Sequence, residues 1–185
     1  MVVPDAALAR LASGLPHRFA FFSTAEDAAA SSPDPRDTGA TMKRRGRIAG
    51  YVRGRNTPSA FARRAPKRLL AIGTSVILWR DARAAAASIE RDLADEKRLT
   101  GRTVGGNLLI SFSATRVPSL GAGAVLQHIR ARPLDGTDRF TTQVVLRVGR
   151  LRGNAIVVRG DRRDADSLAL RLARQLRRRM LAALR

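Results

Sequence analysis

From Arg47 onward, apolar and polar positions alternate with a period of two. Ile48, Gly50 and Val52 fall on one side; Arg47, Ala49, Tyr51, Arg53 and Arg55 fall on the other. Such alternation predicts a half-buried strand with one wet face. The nearly continuous apolar run LLAIGTSVILWR (69–80) predicts a second strand, rich in β-branched residues near its end. The period then lengthens to that of a helix. Ala85, Ile89 and Leu93 recur at i, i+4 over 80–99, and Asp81 stands where an N-cap is needed. Gly101 and the Gly105-Gly106 pair break the chain. Further strands are predicted at NLLISFSA (107–114), AVLQHIRAR (124–132), RFTTQVVLRVGR (139–150) and AIVVR (155–159). Asp135-Gly136 and LRGN (151–154) read as the turns between the last three. Over 164–184, Leu168, Leu172, Ala173, Leu176, Met180 and Ala183 share a helical face, and Arg171, Arg174 and Arg178 occupy the opposite one. That pattern predicts a closing helix docked on something apolar.

The first forty residues carry weaker signals. DAALARLAS (5–13) allows one or two turns of helix before Gly14-Leu15-Pro16 ends it, and HRFAFF is a candidate short strand. SSPDPRDTGAT (31–41) has the composition of a linker. The expected organisation is an N-terminal helix and linker-like segment over 1–41, then a single α+β domain over 42–185. The expected fold of that domain is a five- or six-stranded antiparallel sheet with a middle helix and a C-terminal helix packed on one face.

Composition narrows the chemistry more than it suggests any. At 185 residues and 44% hydrophobic, the chain can bury one real core, and with aromatics at 4% aliphatic side chains must fill it. No cysteine is present, which excludes a disulfide framework, a thiol nucleophile, cysteine-ligated metal and a lipid-attachment cysteine. His17 and His128 lie far apart with no metal-ligand spacing around either, so no metal and no cofactor are expected. No GxSxG elbow or phosphate-binding GxxxxGK[ST] loop occurs. GAGAVL (121–126) lacks the third glycine of a dinucleotide loop and leads into a strand, so it reads as a turn. No catalytic constellation emerges. No apolar run reaches the length of a membrane span. The N-terminus lacks the apolar centre of a signal peptide, so if the protein is exported its targeting segment lies outside these residues.

Charge is the one strong signal. The formal net charge is +20, and all basic residues but Lys43, Lys67 and Lys97 are arginine. Arginine and alanine, both abundant, share GC-rich codons, yet codon bias does not account for the shortage of acids. Such a field attracts polyanions and acidic partners. No acid occurs between Asp37 and Asp81, whereas Lys43, Arg44, Arg45, Arg47, Arg55, Arg63, Arg64, Lys67 and Arg68 all do. This stretch, 43–68, is the candidate polyanion or nucleic-acid surface, since guanidinium forks match phosphate geometry. Against it, an antiparallel sheet with one wet face needs polar residues there anyway, and only Tyr51 is placed to stack a base.

The order of features from about residue 43 onward resembles a known group. RRGRIAGYVRGR is followed by TSVILWRDARAAAASI, LGAGAVL, the VVLRVGRLRGNAIVV hairpin and an arginine-rich closing helix. This resembles small extracytoplasmic domains of high-GC actinobacteria, lipoproteins or sensor-kinase ectodomains, whose helix-flanked antiparallel sheet is similar to the PsbP/Mog1 type. The resemblance implies a non-enzymatic extracytoplasmic binding or sensing domain with a concave apolar–basic surface between sheet and helix. Strand parity nominates Tyr51, Trp79, Arg53 and Arg130 for that surface. The alternative is a cytoplasmic nucleic-acid-binding protein using 43–68. An unknown ligand or acidic partner fits the first reading, nucleic acid the second.

Overall fold

The computed structural model describes residues 1–32, 34, 36–57, 68–104, 106–133, 136–163 and 165–185. Among them the chain forms one eight-stranded antiparallel sheet with helices on both faces. The strands are β1 (His17–Ser23), β2 (Arg47–Asn56), β3 (Leu69–Trp79), β4 (Thr103–Val104), β5 (Asn107–Arg116), β6 (Val125–Pro133), β7 (Arg139–Val148) and β8 (Leu151–Arg159). Their order across the sheet is β1-β2-β3-β8-β7-β6-β5-β4. The helices are α1 (Asp5–Leu11), α2 (Ala25–Ala30), α3 (Gly39–Arg44), α4 (Ala82–Leu99) and α5 (Asp166–Ala182).

This corrects the expected five or six strands. The two extra strands are the sheet's edges, where periodicity says least. β1 pairs with β2 along its whole length yet leaves most of its residues exposed, so no buried face imposes alternation on it. β4 is two residues long. The middle helix and the C-terminal helix lie on different faces. Val144 belongs to the core beneath α5, whereas its neighbour Val145 packs with Ile89 of α4. Successive strand residues point to opposite faces, so the two helices cover opposite sides of the sheet.

The topology explains the position of α4. After β3 the chain must reach the far edge, five strand spacings away, before β5 to β8 fill the gap back to β3. Five spacings make roughly 24 Å, and the 18 residues of α4 span about 27 Å. The helix therefore crosses the strands, touching β3, β8, β7 and β5 in turn. Asp81 caps it, its carboxylate accepting from the Ala84 N–H at 2.7 Å. Gly101, with φ +84°, turns the chain out of it.

The principal core lies on the other face. Leu172, Ala173, Leu176 and Met180 of α5 are buried against Val144, Leu146, Ala155 and Val157. Gly153 lets the helix close on β8: a Cβ there would stand 2.7 Å from Met180 Sδ and 2.9 Å from Leu176 Cδ2. The N-terminal segment joins this core through Val3, Leu8 and Leu15. Arg55 ties α1 to β2 by donating to Asp5 at 3.0 Å and to the Leu15 carbonyl at 3.1 Å.

Candidate ligand-binding cleft

On the α4 face, the crossing helix leaves the β2–β3–β8 part of the sheet partly uncovered. Cross-strand register puts Gly50, Ile77 and Arg152 in one row and Val52, Ser75 and Asn154 in the next. These form the floor of a cleft of about 450 Å³. Ser88, Arg91, Asp92, Asp95 and Glu96 of α4 make one wall; Asp27, Ala28, Asp37, Met42 and Arg45, from α2, α3 and their connection, make the other. The volume suits a metabolite-sized molecule.

Two buried arginines stand in this cleft, and sequence parity mislaid both. Strict alternation puts Arg47 on the wet face of β2 with Tyr51 and Arg53. A register shift between Arg47 and Ala49 breaks that parity. Arg47 consequently opposes Trp79, and its guanidinium reaches over Gly50 to donate to Ser23 Oγ at 2.8 Å and to the Thr24 carbonyl at 3.3 Å. The sequence puts Arg152 inside a turn at 151–154. The turn instead falls at Gly149 (φ +56°) and Arg150, so Arg152 is a strand residue paired with Asp92. Arg47 is 8% and Arg152 5% exposed.

The electrostatics set the cleft apart from the rest of the molecule. Four arginines and five carboxylates line it, so it lies close to neutral within a chain of net charge +20. Arg45 pairs with Asp37, Arg152 with Asp92, and Asp95 with Arg98 at 3.0 Å. Burial, with Asp92 and Asp95 beside it, holds the Glu96 carboxyl above the usual glutamate range. Burial, then the neighbouring Arg152, lowers the Arg47 guanidinium pKa. Trp79, the single tryptophan, closes the end of the cleft at 3% exposure, and its buried Nε1–H has no acceptor among the described residues.

The four nominated residues do not converge. Trp79 lies on the cleft face. Tyr51 borders the cleft, but its ring packs on Phe22 (centroids 4.9 Å apart) and against the α5-side core. Arg53 lies over that ring at 5.6 Å and donates to Tyr51 Oη at 3.1 Å. Arg130 is far along the sheet, paired with Asp138 and lying 5.8 Å over Phe140. It lines a separate shallow hollow with Arg162, Arg163 and His128; His128 Nε2 lies 2.6 Å from Asp166 Oδ1. The polyanion candidates are dispersed too. Lys43 pairs with Glu26 at 2.7 Å, Arg45 with Asp37 and Arg55 with Asp5, while Arg47 is buried. Arg44 and Arg68 are exposed. Arg63, Arg64 and Lys67 lie outside the described residues. Among the described residues, no helix is long and apolar enough to cross a membrane.

No family model matches the chain, and no curated protein matches it. Among solved structures, it is similar to the extracellular domain of PknH from Mycobacterium tuberculosis. That likeness has a TM-score of 0.55 and covers 96% of this chain and 93% of that one, at 8% sequence identity. At such identity what the two share is the fold.

Proposed function

We propose that this chain is an extracytoplasmic binding or sensing module whose ligand occupies the cleft between α4 and the sheet. The observation that carries the reading is the cleft itself: a near-neutral concavity with buried, hydrogen-bonding side chains inside a strongly basic protein. Buried polar groups cost stability unless something uses them. The likeness to an extracellular domain supports the compartment. The polyanion reading draws less support, because Lys43, Arg45 and Arg55 are held in ion pairs and Arg47 faces inward.

The test is a thermal-shift screen of small polar molecules on the wild type and on Ser75→Phe, which fills the cleft floor. A ligand present at a hundredfold excess over its Kd stabilises by about 2.7 kcal/mol, which for a domain of this size raises Tm by several degrees. The expected result is a hit that stabilises the wild type and leaves Ser75→Phe unmoved. Hits that act equally on both proteins, or stabilisation by duplex DNA alone at physiological salt, would contradict it.

A further inference from the structure

Arg47 is the anomaly of the cleft. An arginine this buried ordinarily has a carboxylate beside it. Arg152, whose field reaches it, has Asp92. Arg47 has only neutral acceptors, Ser23 Oγ and the Thr24 carbonyl, and no described carboxylate lies within ion-pair distance. Its Nη1 makes no hydrogen bond to a described residue, and Arg47 lines the cleft. On the cleft floor Asp92 pairs with Arg152, whereas Arg47 has no ion-pair partner and feels Asp27 and Asp92 only at longer range.

The surroundings keep that guanidinium where it is. A Cβ at residue 50 would stand 2.9 Å from Arg47 Nη2 and no nearer than 3.5 Å to any other atom, so Gly50 leaves the space the guanidinium fills. The carboxylates on both walls would repel a chain of phosphates, and the cleft of about 450 Å³ suits a small molecule rather than a polymer. A single acidic group on a small molecule meets both conditions.

Building on the cleft reading, we propose that Arg47 is an anion anchor: the cleft takes a small acidic molecule whose carboxylate or phosphate oxygens accept hydrogen bonds from the Arg47 guanidinium. The bond is charge-assisted and lies in a partly desolvated site, where it is stronger than at the surface. Arg152, held by Asp92, stands beside it on the cleft floor. Ligand oxygens give the buried guanidinium the ion-pair partner that Ser23 and Thr24 do not supply.

The probes are phenyl phosphate, benzoate and the uncharged benzamide, titrated into the full chain at constant physiological ionic strength with Trp79 emission as readout. Four proteins are compared: wild type, Arg47→Gln, Gly50→Ala, and Arg171→Gln on the exposed side of α5. Gly50→Ala displaces the guanidinium while keeping the net charge, and Arg171→Gln removes a charge while keeping the anchor. The expected result is anion binding in preference to benzamide, weakened at least about tenfold in both Arg47→Gln and Gly50→Ala and changed less than about twofold in Arg171→Gln. Unliganded Arg47→Gln should be at least as stable as the wild type, since it loses a buried unpaired charge. Tighter phenyl phosphate assigns the acid as a phosphate; tighter benzoate assigns a carboxylate. Equal anion affinity in all four proteins would overturn the anchor as mere surface attraction. Saturable binding of benzamide as tight as that of the anions would overturn the anchor and leave the cleft reading standing. Silence of Trp79 toward every probe at millimolar concentration would overturn both.

Discussion

Arg47 and Arg53 stand six residues apart on one strand and behave as different residues. Arg53 is stacked on Tyr51 at the surface of the sheet, its charge solvated and its stem covering apolar neighbours. Arg47 is buried on the opposite face, hydrogen-bonded to neutral acceptors and without an ion-pair partner among the described residues. Their sequence context is similar, and a period of two puts them together; one register shift separates them. Glu96 is a second residue defined by its place. Its raised pKa means that folding favours the protonated form. The stability so gained is complete below the ordinary glutamate value near 4.5 and is lost as pH rises through the folded value. Glu96→Gln should therefore raise the urea midpoint at pH 7.5, by an amount that shrinks as the pH falls below that value. A midpoint unchanged, or lowered, at neutral pH would show that Glu96 is ionised without penalty.

Among the elements, two close approaches fix how the sheet is assembled. Gly153 admits α5, and Gly54 sits where β1, β2 and β3 crowd together. A Cβ at Gly54 would lie 2.6 Å from the Ile72 carbonyl oxygen and 2.4 Å from the Phe19 ring, and the carbonyl has no room to yield. Gly54→Ala should cost about 1–3 kcal/mol, read as a lowered urea midpoint with unchanged slope. Gly14→Ala, with nothing within 4 Å of its Cβ, is the neutral control. Elements with one buried face were legible in the sequence, because burial writes a period. The Ala85, Ile89, Leu93 stripe and the Asp81 cap mark α4, and the Leu172, Leu176, Met180 stripe marks α5. Of the edge strands, β1 is legible only as the candidate short strand HRFAFF, outside the expected domain, and the two-residue β4 leaves no such record. The cleft was less legible still. It is assembled from α2, α3, α4, β1, β2, β3, β7 and β8, and Trp79 and Tyr51 are the only two of its described lining residues that sequence parity nominated for the ligand surface. Arg47 and Arg152 were obscured by a bulge and by a turn read one step too late.

Taken whole, the molecule separates its charge from its site. Its excess of arginine is spread over the outer face of α5, the strand surfaces and the 43–68 stretch, much of it locally paired. Five of its fifteen acids are gathered around one cleft. A field of this size draws polyanions to the surface at low salt whatever the function, and that attraction fades as salt screens it. Binding in the cleft should not fade in the same way, because the groups concerned are desolvated. The chain offers a direct readout of the difference: one tryptophan gives one indole N–H resonance, and that indole forms the end of the cleft. The decisive measurement is a ¹H–¹⁵N titration with the best stabilising ligand at physiological ionic strength. The account predicts that the Trp79 indole signal and the amides flanking Arg47, Arg152 and Asp92 shift together and saturate at one Kd. Shifts confined to the exposed arginine faces, with the Trp79 indole unmoved, would contradict it.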